Sequence, residues 1–158
     1  MAPDLRPMNR RDKPAVMQML RSIPEFKPKE VVVAEEVIDC YLDDRDNSGY
    51  RALVAEEAKE VNGYVCYGPT PLTEGTWDIY WMAVSLARQG QGIGGVMIRA
   101  AEKAIARAGG RLAVIETSSL PSYEKTRRFY DHQAYEQVAR IPDFYSPGDD
   151  KLILTKRL

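Results

Sequence analysis

The sequence predicts an α/β (α+β) domain: a mixed, mostly antiparallel sheet of about seven strands flanked by about four helices. Three observations carry this. The first third reads helical after one short strand. The middle and end alternate short β-rich runs with turn residues. At the centre, one long apolar run leads through a glycine-rich loop into the clearest helix of the chain, a β-helix-β unit. A length of 158 residues suits one domain, 1–158, with a single core.

Taken in order, the first strand is expected near Asp4–Met8. In Lys13–Ile23, the residues Val16, Met17, Leu20 and Ile23 form a helical stripe that Pro24 and Pro28 end. A second helix is expected from about Lys29 to Leu42, with Val33, Val37, Cys40 and Tyr41 on one side. Tyr50–Glu57 and Val61–Gly68 are β-rich around Ala58–Glu60, which reads as an antiparallel hairpin. Gly68-Pro69-Thr70-Pro71 is a loop by its dipeptides. Thr76–Ser85 (TWDIYWMAVS) is almost continuously apolar, as a central strand covered on both faces would be.

The next helix repeats Ile93, Val96, Met97, Ala100, Ala101, Ala104, Ile105 and Ala108 at helical spacing. Its opposite side carries Arg99, Glu102, Lys103 and Arg107, and Gly109-Gly110 ends it. Arg111–Ser119 is another buried strand, and Pro121–His132 a short helix with proline in its first turn. Tyr135–Ile141 and Lys151–Lys156 alternate as the last strands, joined by a polar loop, Pro142–Asp150.

Composition removes several function classes. A net charge of −1 does not favour nucleic acid. No stretch approaches a membrane span. The lone His132 leaves no histidine cluster for a metal, and makes a Ser-His-Asp triad implausible. Cys40 and Cys66 lie in no ligand spacing and read as small buried hydrophobes of a reducing, cytoplasmic protein.

The chemistry concentrates between the buried strand and its helix, in Gln89-Gly90-Gln91-Gly92-Ile93-Gly94-Gly95. Glycines let the backbone approach a ligand with its N–H groups outward, and a helix start adds partial positive charge, so the place suits a diphosphate. Gly90, Gly92 and Gly95 also fit G-x-G-x-x-G, with Glu116 about twenty residues on, as in a dinucleotide-binding unit. Too little chain follows for the second half of such a fold. No Lys-Ser/Thr follows the glycines as a P-loop requires.

Gln89-x-x-Gly92-x-Gly94, the preceding WMAV of Trp81–Val84, and Phe129-Tyr130 followed by Ala134-Tyr135 resemble the GNAT superfamily of N-acetyltransferases. The resemblance is tight over Thr76–Tyr135. It implies acetyl-CoA as cosubstrate, with Gln89, Gly90, Gln91, Gly92, Ile93, Gly94 and Gly95 at its pyrophosphate. Met82, Ala83 and Val84 would then offer main-chain bonds to pantetheine on a fourth strand splayed from the fifth. Two positions depart from the pattern: Ala134 stands where the family usually has glycine, and no asparagine follows Thr117-Ser118-Ser119.

Transfer of an acetyl group from a thioester to an amine needs a base for the amine, donors for the oxyanion and a proton for the thiolate. The resemblance makes Tyr130 the general acid beside the sulfur, and the Val84 N–H the oxyanion donor. From the residues alone, Tyr123, Thr126, Arg127 and Tyr130 share one helix face that could line the cofactor. Asp78 interrupts an apolar strand, where a carboxylate is costly unless paired or used. It is either the base or a strand-end carboxylate bonded to a neighbouring loop, and Glu116 on the next strand is the second candidate base.

Asp143, Asp149 and Asp150 with Phe144 and Tyr145 would suit a cationic amine, or form a plain solvated loop. The sequence is thus read as an acetyl-CoA-dependent N-acetyltransferase acting on an amine, without nucleic acid or membrane, and with a homodimer left open. A non-catalytic acyl-CoA-binding domain of the same fold is the alternative.

Overall fold

The computed structural model describes residues 2–158. Strand β1 (Asp4–Pro7) is followed by α1 (Lys13–Ser22) and α2 (Pro28–Asp43). Then come β2 (Arg51–Glu57), β3 (Glu60–Pro69), β4 (Thr76–Val84), α3 (Ile93–Arg107), β5 (Leu112–Ser118), α4 (Glu124–His132), β6 (Glu136–Ser146) and β7 (Asp149–Arg157). All seven strands form one sheet in the order β1-β2-β3-β4-β5-β7-β6. Every neighbouring pair is antiparallel except β4 and β5. The fold is the mixed sheet that the periodicity predicts. Among the described residues no helix is long and apolar enough to cross a membrane.

Two apolar clusters cover the two faces. On one, Ile93, Met97, Ile98, Ala101 and Ile105 of α3 and Tyr130 of α4 pack on Val65, Trp77, Ile79, Ala113 and Ile115. On the other, Val16, Met17 and Leu20 of α1 and Val31, Ala34 and Ile38 of α2 pack on Val54, Tyr64, Cys66 and Ala83. The β2–β3 turn is made by Ala58 and Lys59, both at positive φ (48° and 68°), the mirror-image turn that matches strand twist.

Several expectations need correction. The buried stripe of α2 is Val31, Ala34, Ile38 and Tyr41. Val33 is instead 48% exposed and Cys40 is also exposed, so only Cys66 is a buried cysteine. The run Val31-Val32-Val33 allows three registers of the helical stripe, and only packing chooses between them. Glu102 is buried, because it accepts a hydrogen bond from the Tyr135 hydroxyl (2.8 Å) and pairs with Lys156 (3.0 Å).

The largest difference lies at the end of the chain. Most of Pro142–Asp150 is strand: β6 and β7 form one long hairpin turning at Pro147-Gly148, with a register irregularity between Ile141 and Ser146. Two of its acids are tied within the hairpin. Asp150 pairs with Arg140 and accepts the Asp143 N–H (2.8 Å), while Asp143 accepts the Gly148 N–H (2.7 Å).

Candidate active site

The parallel pair that joins β4 to β5 is short. Only Thr76–Asp78 pairs with Leu112–Val114; beyond Asp78 and Val114 the strands separate. The rest of β5 is held by β7, and the rest of β4 by β3. Here β4 has a bulge: Cys66 faces Trp81 and Tyr67 faces Ile79, so Tyr80 has no partner on β3. The extra residue reverses the inside-outside alternation. Ile79 packs with the α3 cluster, and Trp81 packs on the α1–α2 cluster. A continuous apolar run gives no sign of such a reversal.

The gap between the strands is a cavity of about 1470 Å³, lined from both faces of the sheet. The glycine loop and Tyr130 border it from the α3–α4 side, Phe26 and Val33 from the α1–α2 side, and Asp78 and Glu116 from the strands. Main-chain direction along β4 follows from the ladder. Ser85 donates to Asn62 O (2.9 Å), so Gly63 and Val84 form a non-hydrogen-bonded pair. Alternation then turns the N–H and C=O of Ala83 toward Tyr64, and those of Met82 and Val84 toward the gap. Of the three residues expected to offer main-chain bonds, Ala83 is therefore spent within the sheet.

At one end of the cavity, Gly92 precedes α3 with φ 86° and no side-chain cap. Val96 N–H bonds Gly92 O (3.1 Å), while the first-turn amides of Ile93, Gly94 and Gly95 have no intrahelical acceptor, as at any helix start. A Cβ at Gly90 or Gly92 would meet no protein atom within 4 Å, so these turns leave open space before the amides. Gly94 serves packing: its Cβ would lie 3.2 Å from the Phe129 ring. These donors and that space fit a diphosphate. Gln89 does something else, since its side chain donates to Val84 O (3.2 Å) and ties the loop to the end of β4. Arg88 pairs with Glu57 and donates to Gln91 (2.9 Å), which fixes the loop from its other side.

Tyr130 borders the cavity. It is 8% exposed, and its ring makes edge contacts with Phe129 (5.4 Å) and Tyr135 (6.0 Å). No protein group among those described bonds its hydroxyl. The buried side-chain atoms without partners are Asn62 Nδ2 and Tyr64 OH, so the Tyr130 oxygen opens onto the cavity. Burial pushes that hydroxyl up to about 12, and it stays protonated at neutral pH. Tyr123 and Thr126 of the predicted face also border the cavity. Arg127 is spent on the carbonyls of Ser118 and Leu120 (both 2.8 Å).

The two candidate bases share the α1–α2 face of the sheet but differ in surroundings. Asp78 faces Val114 in register. It accepts the Thr70 hydroxyl (2.6 Å) and, more weakly, the Tyr80 hydroxyl (3.5 Å). It is thus bonded to the neighbouring loop and borders the cavity at once. Glu116 is paired with Lys151 (2.9 Å), which also sits 3.7 Å over the Phe144 ring.

Glu30, absent from the sequence reading, also borders the cavity, as do Tyr145 and Asp149 of the late acidic and aromatic segment. Burial raises the Glu30 carboxyl above its usual range. Burial, then the charges of Glu116, Asp149 and Glu30, pushes Tyr145 up to about 12. Asp149 itself is buried against the Ser118 hydroxyl. No local pattern joins these positions, and the hairpin had been read as a loop.

A splayed parallel pair with an uncapped glycine turn at one end and an inward tyrosine is an acyl-CoA-type cleft in outline. Residues 48–137 match the family model described as an acetyltransferase (GNAT) domain. A structure described as an acetyltransferase of the GNAT family from Desulfovibrio desulfuricans is 38% identical, covers 99% of both chains and superposes with a TM-score of 0.95. The chain belongs to the GNAT acetyltransferase family. The same fold recurs in an aminoglycoside 6'-N-acetyltransferase complexed with coenzyme A, at 19% identity over 98% of this chain and 96% of that one (TM-score 0.77). It recurs too in a ribosomal-protein-alanine N-acetyltransferase from Brucella melitensis, at 19% identity over 98% and 99% (TM-score 0.79). No curated protein matches the chain in sequence.

Proposed function

We propose that the protein transfers the acetyl group of acetyl-CoA to a primary amine by direct attack within a ternary complex. The observation that carries this reading is the gap between β4 and β5, open to both faces of the sheet. Glycine-loop amides stand at one end, the main chain of Met82 and the N–H of Val84 along one side, and the Tyr130 hydroxyl inside. In this reading the amides of Gly90–Gly95 take the pyrophosphate, and the pantetheine arm extends β4 as an added strand would. Gln89 supports the loop from behind.

Chemistry follows from the positions. The amine nitrogen attacks the thioester carbonyl carbon, and its proton leaves to Asp78, through water. The oxyanion that forms is met by the Val84 N–H, which faces the gap without reorganising. The C–S bond then breaks, and Tyr130 gives its proton to the thiolate. A hydroxyl held at about 12 by burial is a protonated donor throughout the neutral range. Glu116 is the second candidate base, but its charge is already met by Lys151.

An amine acceptor is supported by carboxylates in the cavity wall. Glu30, Asp78, Glu116 and Asp149 come from four elements, and Tyr145 and Phe26 line the same cavity. They favour a cationic group, and aromatic faces add to that attraction. The decisive experiment is mass spectrometry of an amine library incubated with acetyl-CoA, alongside thermal shifts with CoA and NAD. Acetylated product together with a CoA-specific shift supports the proposal; a CoA shift without product on any amine means a non-catalytic acyl-CoA-binding domain. A preferential NAD shift would refute both readings.

A further inference from the structure

The Asp78 carboxylate is held asymmetrically. Both of its hydroxyl donors, Thr70 Oγ1 at 2.6 Å and Tyr80 OH at 3.5 Å, use Oδ2. Among the described residues Oδ1 has no protein donor, yet it is not one of the buried orphan atoms, so it opens onto the cavity. Thr70 is itself fixed: its N–H donates to Thr76 O (2.9 Å), and its carbonyl accepts the Thr73 hydroxyl (2.7 Å). The β3–β4 turn therefore presents one hydroxyl in one place, aimed at the last residue of β4 still paired to β5.

We propose that Thr70 is a positioning residue for proton transfer: its hydroxyl anchors Asp78 Oδ2, so that Oδ1 is presented to the water or amine that loses its proton. The inference rests on Asp78 being the base. A carboxylate on a strand rotates about its side-chain torsions, and either oxygen could turn toward the loop or the gap. A short hydroxyl bond to one oxygen selects the productive rotamer. Tyr80 is placed to assist, since the bulge leaves it unpaired on β3, and its ring packs edge-on against Tyr50 (5.5 Å). The other titratable groups bordering the gap include Glu116 with Lys151, Glu30, Asp149, Tyr145, Tyr50 and, from the α1–α2 segment, Glu25, Lys27 and Lys29. A threonine variant changes none of them.

The test compares Thr70→Val, Thr70→Ser and Asp78→Asn, each assayed for kcat, KM for acetyl-CoA, the pH profile of kcat/KM and melting temperature. Thr70→Val is expected to lower kcat about tenfold, the scale of one hydrogen bond to a charged group. It should leave KM for acetyl-CoA unchanged. Thr70→Ser keeps the donor and should restore kcat. Asp78→Asn should remove the acidic limb, and adding Thr70→Val to it should cost nothing further in kcat.

If Asp78→Asn keeps wild-type turnover and limb, Asp78 is not the base and the proposed mechanism fails there. If Asp78→Asn loses the limb while Thr70→Val behaves as wild type, only the role of Thr70 falls. A lower melting temperature for Thr70→Val with unchanged kcat would reduce the bond to a structural one. Should Thr70→Val fold poorly, Thr70→Ala against Thr70→Ser decides by the same readouts.

Discussion

Replacing Tyr130 by phenylalanine separates chemistry from packing more cleanly than any other change in this cavity. The ring contacts with Phe129 and Tyr135 need no oxygen. Among the described residues nothing bonds the hydroxyl, so removing it orphans no buried partner, and stability should stay within about 0.5 kcal/mol of wild type. The glycine-loop amides are untouched, so the melting-temperature rise produced by CoA should persist.

Turnover should fall by roughly 10²–10⁴, the usual contribution of one general acid, equivalent to about 3–5 kcal/mol of barrier. The assay is steady-state release of CoA thiol with an accepted amine, at several pH values. Because the hydroxyl lies near 12, its ionisation adds no alkaline limb below about pH 10 in the wild type. Unchanged kcat with intact CoA binding would refute the assignment and return Tyr130 to the core. A collapse of melting temperature would refute the statement that its oxygen is structurally idle.

Gly92→Val should abolish the CoA-induced thermal shift, because φ 86° strains a β-branched residue and its Cβ would occupy the space before the loop amides; normal CoA binding would show that the loop is not the pyrophosphate site. Ala134→Gly should raise stability by about 0.5–1 kcal/mol, since alanine there holds φ 68°; chemical denaturation measures it, and no gain would mean that the turn is unstrained. Alkaline stability should decline as pH rises from 10 toward 12. Burial raises Tyr130 and, with nearby carboxylates, Tyr123 and Tyr145, so the unfolded chain ionises first. That stabilisation is complete below the unfolded value and lost as pH rises through the folded ones. A flat profile from pH 9 to 11.5 would contradict it.

The turn at Ala134 shows how far a local pattern reaches. The sequence departs there from the family's glycine, and the backbone keeps the left-handed turn regardless, because Tyr135 N–H bonds Tyr130 O (3.0 Å) and fixes the chain's exit from α4. Asp78 shows the opposite case. Its interruption of an apolar strand marked it from sequence, but two readings, base and loop-bonded carboxylate, stood level. The structure shows it bonded to Thr70 and bordering the cavity, an arrangement that either reading accommodates.

By itself the sequence determined the order of strands and helices, the glycine turn before α3 and the segment Phe129-Tyr130. These are written in short-range periodicity and in residues with restricted or exceptional backbone freedom. Tertiary structure alone decided the register of α2, where three consecutive valines fit any of several faces and packing on Tyr64 and Ala83 selects Val31. It decided that β6 and β7 pair through Ser146 and Asp149, because polar strands at a sheet edge lack the apolar alternation that betrays a strand. It also set the bulge at Tyr80 and the meeting of Glu30, Glu116, Asp149 and Tyr145 around one cavity. Contacts between residues far apart in the chain depend on how the sheet closes, and no single segment encodes that.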